Sequence, residues 1–311
     1  MTPAAPWPAL LLAAGYGTRL RPLSDVRAKA ALPVAGRPLI VHLLERLRDA
    51  GLSDIVINLH HRAETVAAAA GDGAAWGLRV RYSWEPRPLG SGGGPARALP
   101  LLAADRFFIV NGDTVSGVDY AALARAHEES GAEATLAAAP ADLARYNALL
   151  ADASGSVVGV AARGTRPEDL PQGAQPWHFV GVQAVNASAF AGVDPSSESD
   201  TIRGIYPALL ATRPGAVRIA RATSGFADIG TPGDYYDTTR RLCAEAGRPL
   251  DRGAGCIVAD SAVVEETILW DRVRVGAGAR LLRCIVADDV EVPPGARHER
   301  MILTASGPVP F

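Results

Sequence analysis

A chain of 311 residues has room for one large or two modest domains around a substantial core. Its 48% hydrophobic and 21% charged residues suit a globular protein, and a formal net charge of −2 excludes the broad basic field that nucleic-acid binding uses. No run reaches transmembrane length, and residues 1–15 lack the cationic start of a signal peptide, so no membrane partner and a cytoplasmic location are expected. Three cysteines, Cys243, Cys256 and Cys284, are odd in number and lack metal-ligand spacing, which fits thiols in a reducing compartment.

Residues 10–14 form an apolar run that reads as a buried strand and breaks into Gly15-Tyr16-Gly17-Thr18, a turn with little side-chain bulk to hold the backbone away from a ligand. Arg19, Arg21 and Lys29 follow, which points to an anionic substrate. The spacing fits neither a dinucleotide fingerprint, because Leu20 stands where the third glycine belongs, nor a P-loop, because no Gly-Lys-Ser/Thr occurs. Lys29 is the only lysine among 31 basic residues, so a compact ammonium rather than plain positive charge is wanted there.

Helical spacing over 39–50 and 64–70, strands over 54–58, 78–84 and 107–110, and a glycine-rich turn entering a helix over 90–99 alternate in the way that builds a mostly parallel sheet. The fold class is therefore α/β, with the site at the carboxyl ends of the strands, where Asn111-Gly112-Asp113 delivers a carboxylate able to hold a metal. A hairpin is expected over 146–161, an exposed connection able to act as a flap over 163–176, and peripheral helices over 199–210 and 234–246. From Gly255 the grammar changes. Ile257, Val263, Leu269, Val275 and Leu281 recur every sixth residue, the mark of a short β-helix, so domains are expected at 1–250 and 251–311.

The stretch from Leu10 to Pro38 resembles the signature of the sugar-1-phosphate nucleotidyltransferases, L-A-x-G-x-G-T-R-L-x-P-L-T-x-x-x-P-K-x-L-x-P-V-x-G-x-P. It matches at Leu12, Ala13, Gly15, Gly17, Thr18, Arg19, Leu20, Pro22, Leu23, Lys29, Pro33, Val34, Gly36 and Pro38, and departs at Ser24 and at Ala28, which replaces the proline before the lysine. The resemblance implies a Rossmann-like nucleotidyltransferase domain with a left-handed β-helix behind it, which in relatives mediates subunit contact or regulation, and a homo-oligomer through that β-helix is expected. It implies that an NTP and a sugar-1-phosphate yield an NDP-sugar and pyrophosphate. Leu12, Ala13, Ala14, Gly15, Gly17, Thr18 and Arg19, with Glu85, Gly90, Ser91 and Gly112, would bind the nucleotide. Arg19 and Lys29 would be catalytic, and Mg²⁺ would sit on Asp113 and on Asp228, the latter in Phe226-Ala227-Asp228-Ile229-Gly230-Thr231-Pro232.

Asn147, Arg163 and Gly181 would line the sugar-phosphate side, where Asn147 replaces a glycine, Ala162 the hydroxyl-reading glutamate and Arg163 the lysine of relatives. Glu85, as an acceptor for guanine N1 and N2, favours GTP and mannose-1-phosphate. The triple glycine Gly92-Gly93-Gly94 and the missing sugar-pocket glutamate keep open a uridylyltransferase acting on N-acetylmuramate-1-phosphate or a hexose-1-phosphate. A non-catalytic regulatory subunit of the same fold is a third reading, against which intact Arg19, Lys29, Asp113 and Asp228 stand.

Overall fold

The computed structural model describes residues 7–222, 225–250 and 252–311. Residues 1–6, part of the N-terminal stretch read above, and Ser224, ahead of the Asp228 motif, lie outside the described residues. Packing groups the chain into two compact units, residues 1–15, 43–61 and 70–227 in one and 16–42, 62–69 and 228–311 in the other. The expected cut at residue 250 is a boundary of sequence grammar, whereas packing assigns the signature loop to the unit that holds the C-terminal coils.

The first unit is built on a nine-stranded sheet. Its strands are β1 (Ala9–Leu12), β2 (Asp54–Leu59), β3 (Arg79–Trp84), β4 (Arg106–Asn111), β5 (Ala134–Pro140), β6 (Ala148–Ala151), β7 (Val157–Ala161), β8 (Gln175–Asn186) and β9 (Val217–Arg221). The order is β7-β6-β8-β4-β1-β2-β3, with β5 pairing both β8 and β9. Strands β3, β2, β1 and β4 are mutually parallel, as the alternating pattern predicts. Beyond β4 the long strand β8 runs antiparallel to β4, β5 and β6, so the sheet is mixed rather than parallel throughout. The hairpin β6–β7 follows the expected antiparallel pairing, since a short reversal of this kind cannot join parallel strands.

Burial explains why these segments are strands. Leu10, Val56, Phe107, Ile109, Leu136, Val185 and Val217 all sit in one core cluster with exposures of 5% or less, so strands buried on both faces read as near-continuous apolar runs. The segment read as a flap is anchored: Leu170 and Ala174 pack on a second cluster of Leu143, Ala148, Leu150 and Ala161, and the Gly164 N–H donates to the Leu143 carbonyl at 2.7 Å. The expected helix over 199–210 is a π-turn, Thr201–Ile205, running into the helix Tyr206–Thr212, with the Asp200 carboxylate capping the Arg203 N–H.

In the second unit the C-terminal coils stack in parallel on three faces, for example Ile257–Val258 on Arg274–Val275 on Glu291–Val292. The coil repeat is 17 residues, one short of three hexapeptides, as the ladder from Asp271 to Asp288 shows. The strict six-residue frame therefore slips. Ile257 and Val263 pair with Arg274 and Arg280 and are 54% and 38% exposed, while Val258 and Val264 take the inward register with Val275 and Leu281. Gly307–Pro310 folds back antiparallel on Met301–Thr304 to close the last face.

Candidate functional site

In the first unit the carboxyl end of β1 is the organising point. The Asn58 side chain, at the end of neighbouring β2, accepts the Ala13 N–H at 2.6 Å and donates to Glu85 Oε1 at 2.7 Å. The other carboxylate oxygen, Glu85 Oε2, accepts the Leu89 N–H at 2.8 Å, just before the helix Gly90–Leu102. Glu85 is fully buried, and burial raises its pKa while the Leu89 and Asn58 hydrogen bonds lower it, with a net rise. Both oxygens are thus engaged inside the protein. The carboxylate expected to read a guanine edge orients Asn58, which orients the β1 loop. Sequence reasoning passes over Asn58, although a polar residue ending an apolar strand beside the glycine turn is a usable signal.

Close backbone approach explains the glycines here. The Gly112 N–H donates to the Leu12 carbonyl at 3.0 Å, and a Cβ on Gly112 would lie 2.5 Å from that oxygen. Asp113 follows directly, half-buried, with Oδ1 accepting from the Thr114 hydroxyl at 3.1 Å. Gly181, at φ +80°, lies so close to Asn111 and Thr114 that a Cβ would crowd theirs, which seats β8 on the same strand end. Leu12, Ala13, Gly112, Asp113 and Gly181 are therefore brought together. Gly90 and Ser91 have structural partners of their own: a Cβ at Gly90 would meet the Ser199 carbonyl at 2.5 Å, and the Ser91 hydroxyl accepts the Thr201 N–H at 2.9 Å.

At the ends of the β6–β7 hairpin, Asn147 Oδ1 accepts the Arg163 N–H at 2.8 Å, so two residues expected to line the sugar-phosphate side meet there, both exposed. Beside them lies a group that sequence reasoning passes over. The His178 ring sits 4.2 Å from that of Tyr146 and stacks on Phe226 at 4.7 Å, and burial lowers the His178 pKa, keeping the imidazole neutral. Only the tertiary pairing of β8 reveals it.

In the second unit Lys29 and Arg19 are placed around the glycine turn. Gly17, at φ +61°, comes so near Lys29 that a Cβ would lie 3.4 Å from the lysine Cβ. Thr18 and Arg19 form a single 3-10 turn with Leu20, which buries Leu20 and leaves Thr18 and Arg19 exposed. The Arg19 guanidinium reaches a segment distant in sequence: a Cβ on Gly230 would lie 3.1 Å from Arg19 Nη1 and 3.2 Å from the Asp234 carboxylate. The glycine motif and the Asp228-Ile229-Gly230-Thr231-Pro232 motif, far apart in sequence, thus meet. Asp228 is half-buried at the end of a short strand, and Asp234 closes a capping box with Thr231 that starts the helix Pro232–Glu245.

This convergence agrees with comparison to known proteins. Residues 8–245 match the family model described as nucleotidyl transferase, and residues 253–302 match one described as a GlmU-like C-terminal hexapeptide. The chain belongs to the nucleotidyl transferase family. Within it, this nucleotidyltransferase falls among the sugar-1-phosphate enzymes. It is 29% identical over 310 residues to a mannose-1-phosphate guanylyltransferase of Mycobacterium tuberculosis, covering 94% of this chain and 83% of that one. It is 47% identical over 115 residues to an N-acetylmuramate alpha-1-phosphate uridylyltransferase of Neisseria meningitidis, covering 37% of this chain and 50% of that one. The solved structure of HddC from Yersinia pseudotuberculosis complexed with GMP-PN shares the fold, with a TM-score of 0.63 and 23% identity over 76% of this chain and 99% of that one.

Proposed function

We propose that this nucleotidyltransferase is a cytoplasmic mannose-1-phosphate guanylyltransferase, joining GTP and mannose-1-phosphate to give GDP-mannose and pyrophosphate. The observation that carries the chemistry is the convergence of Gly17, Lys29, Arg19 and Gly230. The long alignment to a guanylyltransferase, extending through the coils, supports the substrate.

A sugar phosphate with a second pKa near 6 is already an anionic nucleophile, so no general base is required. Its oxygen attacks the α-phosphorus, a new P–O bond forms, the α–β bridging P–O bond breaks, and pyrophosphate leaves. Lys29 holds the α-phosphate as charge builds, Arg19 holds the departing phosphates, and Arg163 takes the incoming one. Backbone around Leu12, Ala13, Ala14 and Gly15 faces base and ribose. Asp113 and Asp228 offer hard carboxylate oxygens, the donor type that suits Mg²⁺, an ion that takes one or two carboxylates and otherwise water and phosphate. When bound, the ion supplies neutralisation of phosphate charge.

A second reading is favoured by the 47% identity to the N-acetylmuramate enzyme and by Ala162 standing where relatives carry a glutamate: UTP with N-acetylmuramate-1-phosphate. Pyrophosphate release from GTP, UTP, ATP and dTTP against mannose-, glucose- and N-acetylmuramate-1-phosphate separates the two. Turnover fastest with GTP and mannose-1-phosphate is expected, and no turnover with any pair would return the chain to the regulatory reading. We also propose that the β-helix supports a homo-oligomer, which a solution mass of one chain would refute.

A further inference from the structure

Arg27 stands two positions before Lys29, at a position the signature leaves open. Its guanidinium donates from Nε to Asp288 Oδ2 and from Nη2 to Asp288 Oδ1 and Asp271 Oδ2, each at 2.6 Å. It lies 5.5 Å from the Trp270 ring centroid, and the side chains of Arg27 and Asp288 are only 17% and 11% exposed. Burial pulls the Arg27 pKa down, and the hydrogen bonds to Asp288 and Asp271 more than offset it.

The receiving carboxylates are brought side by side by the stacking of the coils. Asp271 and Asp288 are equivalent corner residues 17 apart, and each caps the coil before it: the Ala254 N–H donates to Asp271 Oδ1 at 2.8 Å, and the Asp271 N–H to Asp288 Oδ1 at 3.0 Å. The same corner reaches the far side of Lys29. Trp270 Nε1 donates to the Tyr235 hydroxyl at 2.9 Å, which donates to the Pro33 carbonyl at 2.6 Å. Between these grips, the Ala28 N–H donates to Thr65 Oγ1 at 3.1 Å, a bond that the proline of relatives could not make.

We propose that the C-terminal β-helix positions Lys29, with Arg27 as the positioning residue clamped by Asp271 and Asp288, and Pro33 held through Tyr235 and Trp270. The coils therefore act on turnover as well as on any assembly. This rests on the reading of Lys29 as the α-phosphate contact, and the test separates the two. In Arg27→Ala, Asp288→Ala and the double variant, kcat should fall on the order of 10–100-fold, the scale of a small misplacement of a catalytic group, with KM for the nucleotide little changed. The double variant should be no worse than either single one, since one grip is lost in all three. Amide exchange over residues 28–34 should rise while β1 stays protected. Should Arg27→Ala fail to fold, Arg27→Lys keeps the charge without the fork and should give an intermediate kcat. Wild-type kcat in either folded variant, or unchanged exchange over 28–34, overturns the clamp. Faster loop exchange in a protein that releases no pyrophosphate even as wild type would uphold the clamp and sink the reaction instead.

Discussion

At the sheet edge, a Cβ on Gly112 would lie 2.5 Å from the Leu12 carbonyl oxygen, and the strands on either side are buried in a single apolar core. In the signature loop, the stretch from Arg27 to Pro33 is held by side chains: Asp271, Asp288, Thr65 and Tyr235 supply its partners from 37 to 261 residues further on. The difference is one of mechanism. The edge is fixed by close backbone fit between neighbouring strands of one sheet. The loop is fixed by charge and hydrogen bonds from distant segments, so it is tunable and vulnerable at several remote points.

The largest effect should come from Lys29, proposed above to hold the α-phosphate. Lys29→Arg keeps the charge, but a planar guanidinium cannot occupy the point of a compact ammonium. Loss of one preorganised charge donor costs on the order of 10²–10³ in kcat, about 3 kcal/mol. Nucleotide affinity should change far less, because Arg19 and the glycine turn remain. Steady-state kinetics decide it, and near-normal turnover in Lys29→Arg would remove this residue from the chemistry.

Next comes a contrast between two glycines. Gly112→Ala puts a methyl against backbone that cannot yield, and overpacking of this kind costs about 1–3 kcal/mol, so the urea midpoint should drop. Nothing lies within 4 Å of a Cβ on Gly15, and its backbone asks for no positive φ, so Gly15→Ala should leave stability within about 0.5 kcal/mol. Any defect in Gly15→Ala should then appear as a raised KM for the nucleotide. Equal midpoints for the two variants would break the contrast between a packed edge and an open turn.

Much of this is readable from one sequence because glycines mark the places where the backbone takes a positive φ or leaves no room for a side chain. Gly17 needs φ +61° beside Lys29, and Gly112 needs bare backbone, so residue type alone marks them. What cannot be read depends on which distant elements meet. Glu85 lies in a segment that looks like a base-reading loop, yet its direction is set by Asn58 and by the close approach of Gly94, where a Cβ would lie 2.8 Å from Glu85 Oε1, and no local pattern announces that these residues meet. The six-residue frame misses the coil period by one residue because apolar residues at Ile257 and Val263 imitate it. The true corners are marked instead by residues such as Arg272 and Asp289, left-handed at φ 58° and 60° and paired at 2.6 Å.

The smallest effect tests the robustness of the sheet unit itself. His127, on the helix Tyr120–Ser130, is buried, with Nδ1 2.9 Å from the Thr135 hydroxyl and Nε2 3.1 Å from Asn186 Oδ1. Burial lowers its pKa from the usual 6.5, the Asn186 hydrogen bond partly opposing. A base with a depressed folded pKa binds protons more weakly when native, so its contribution to stability is intact above about 6.5 and is lost as pH falls from there through the folded value. The melting temperature should therefore decline on acidification below that point, and His127→Gln, which keeps a hydrogen-bonding side chain without a titrating proton, should flatten the decline while lowering stability at pH 8 by about 1 kcal/mol. Lys29→Arg should leave that acid slope unchanged, since the substitution keeps the side chain's charge. An acid slope identical in wild type and His127→Gln would assign the pH sensitivity to another group, with His178, also held neutral by burial, as the next to substitute.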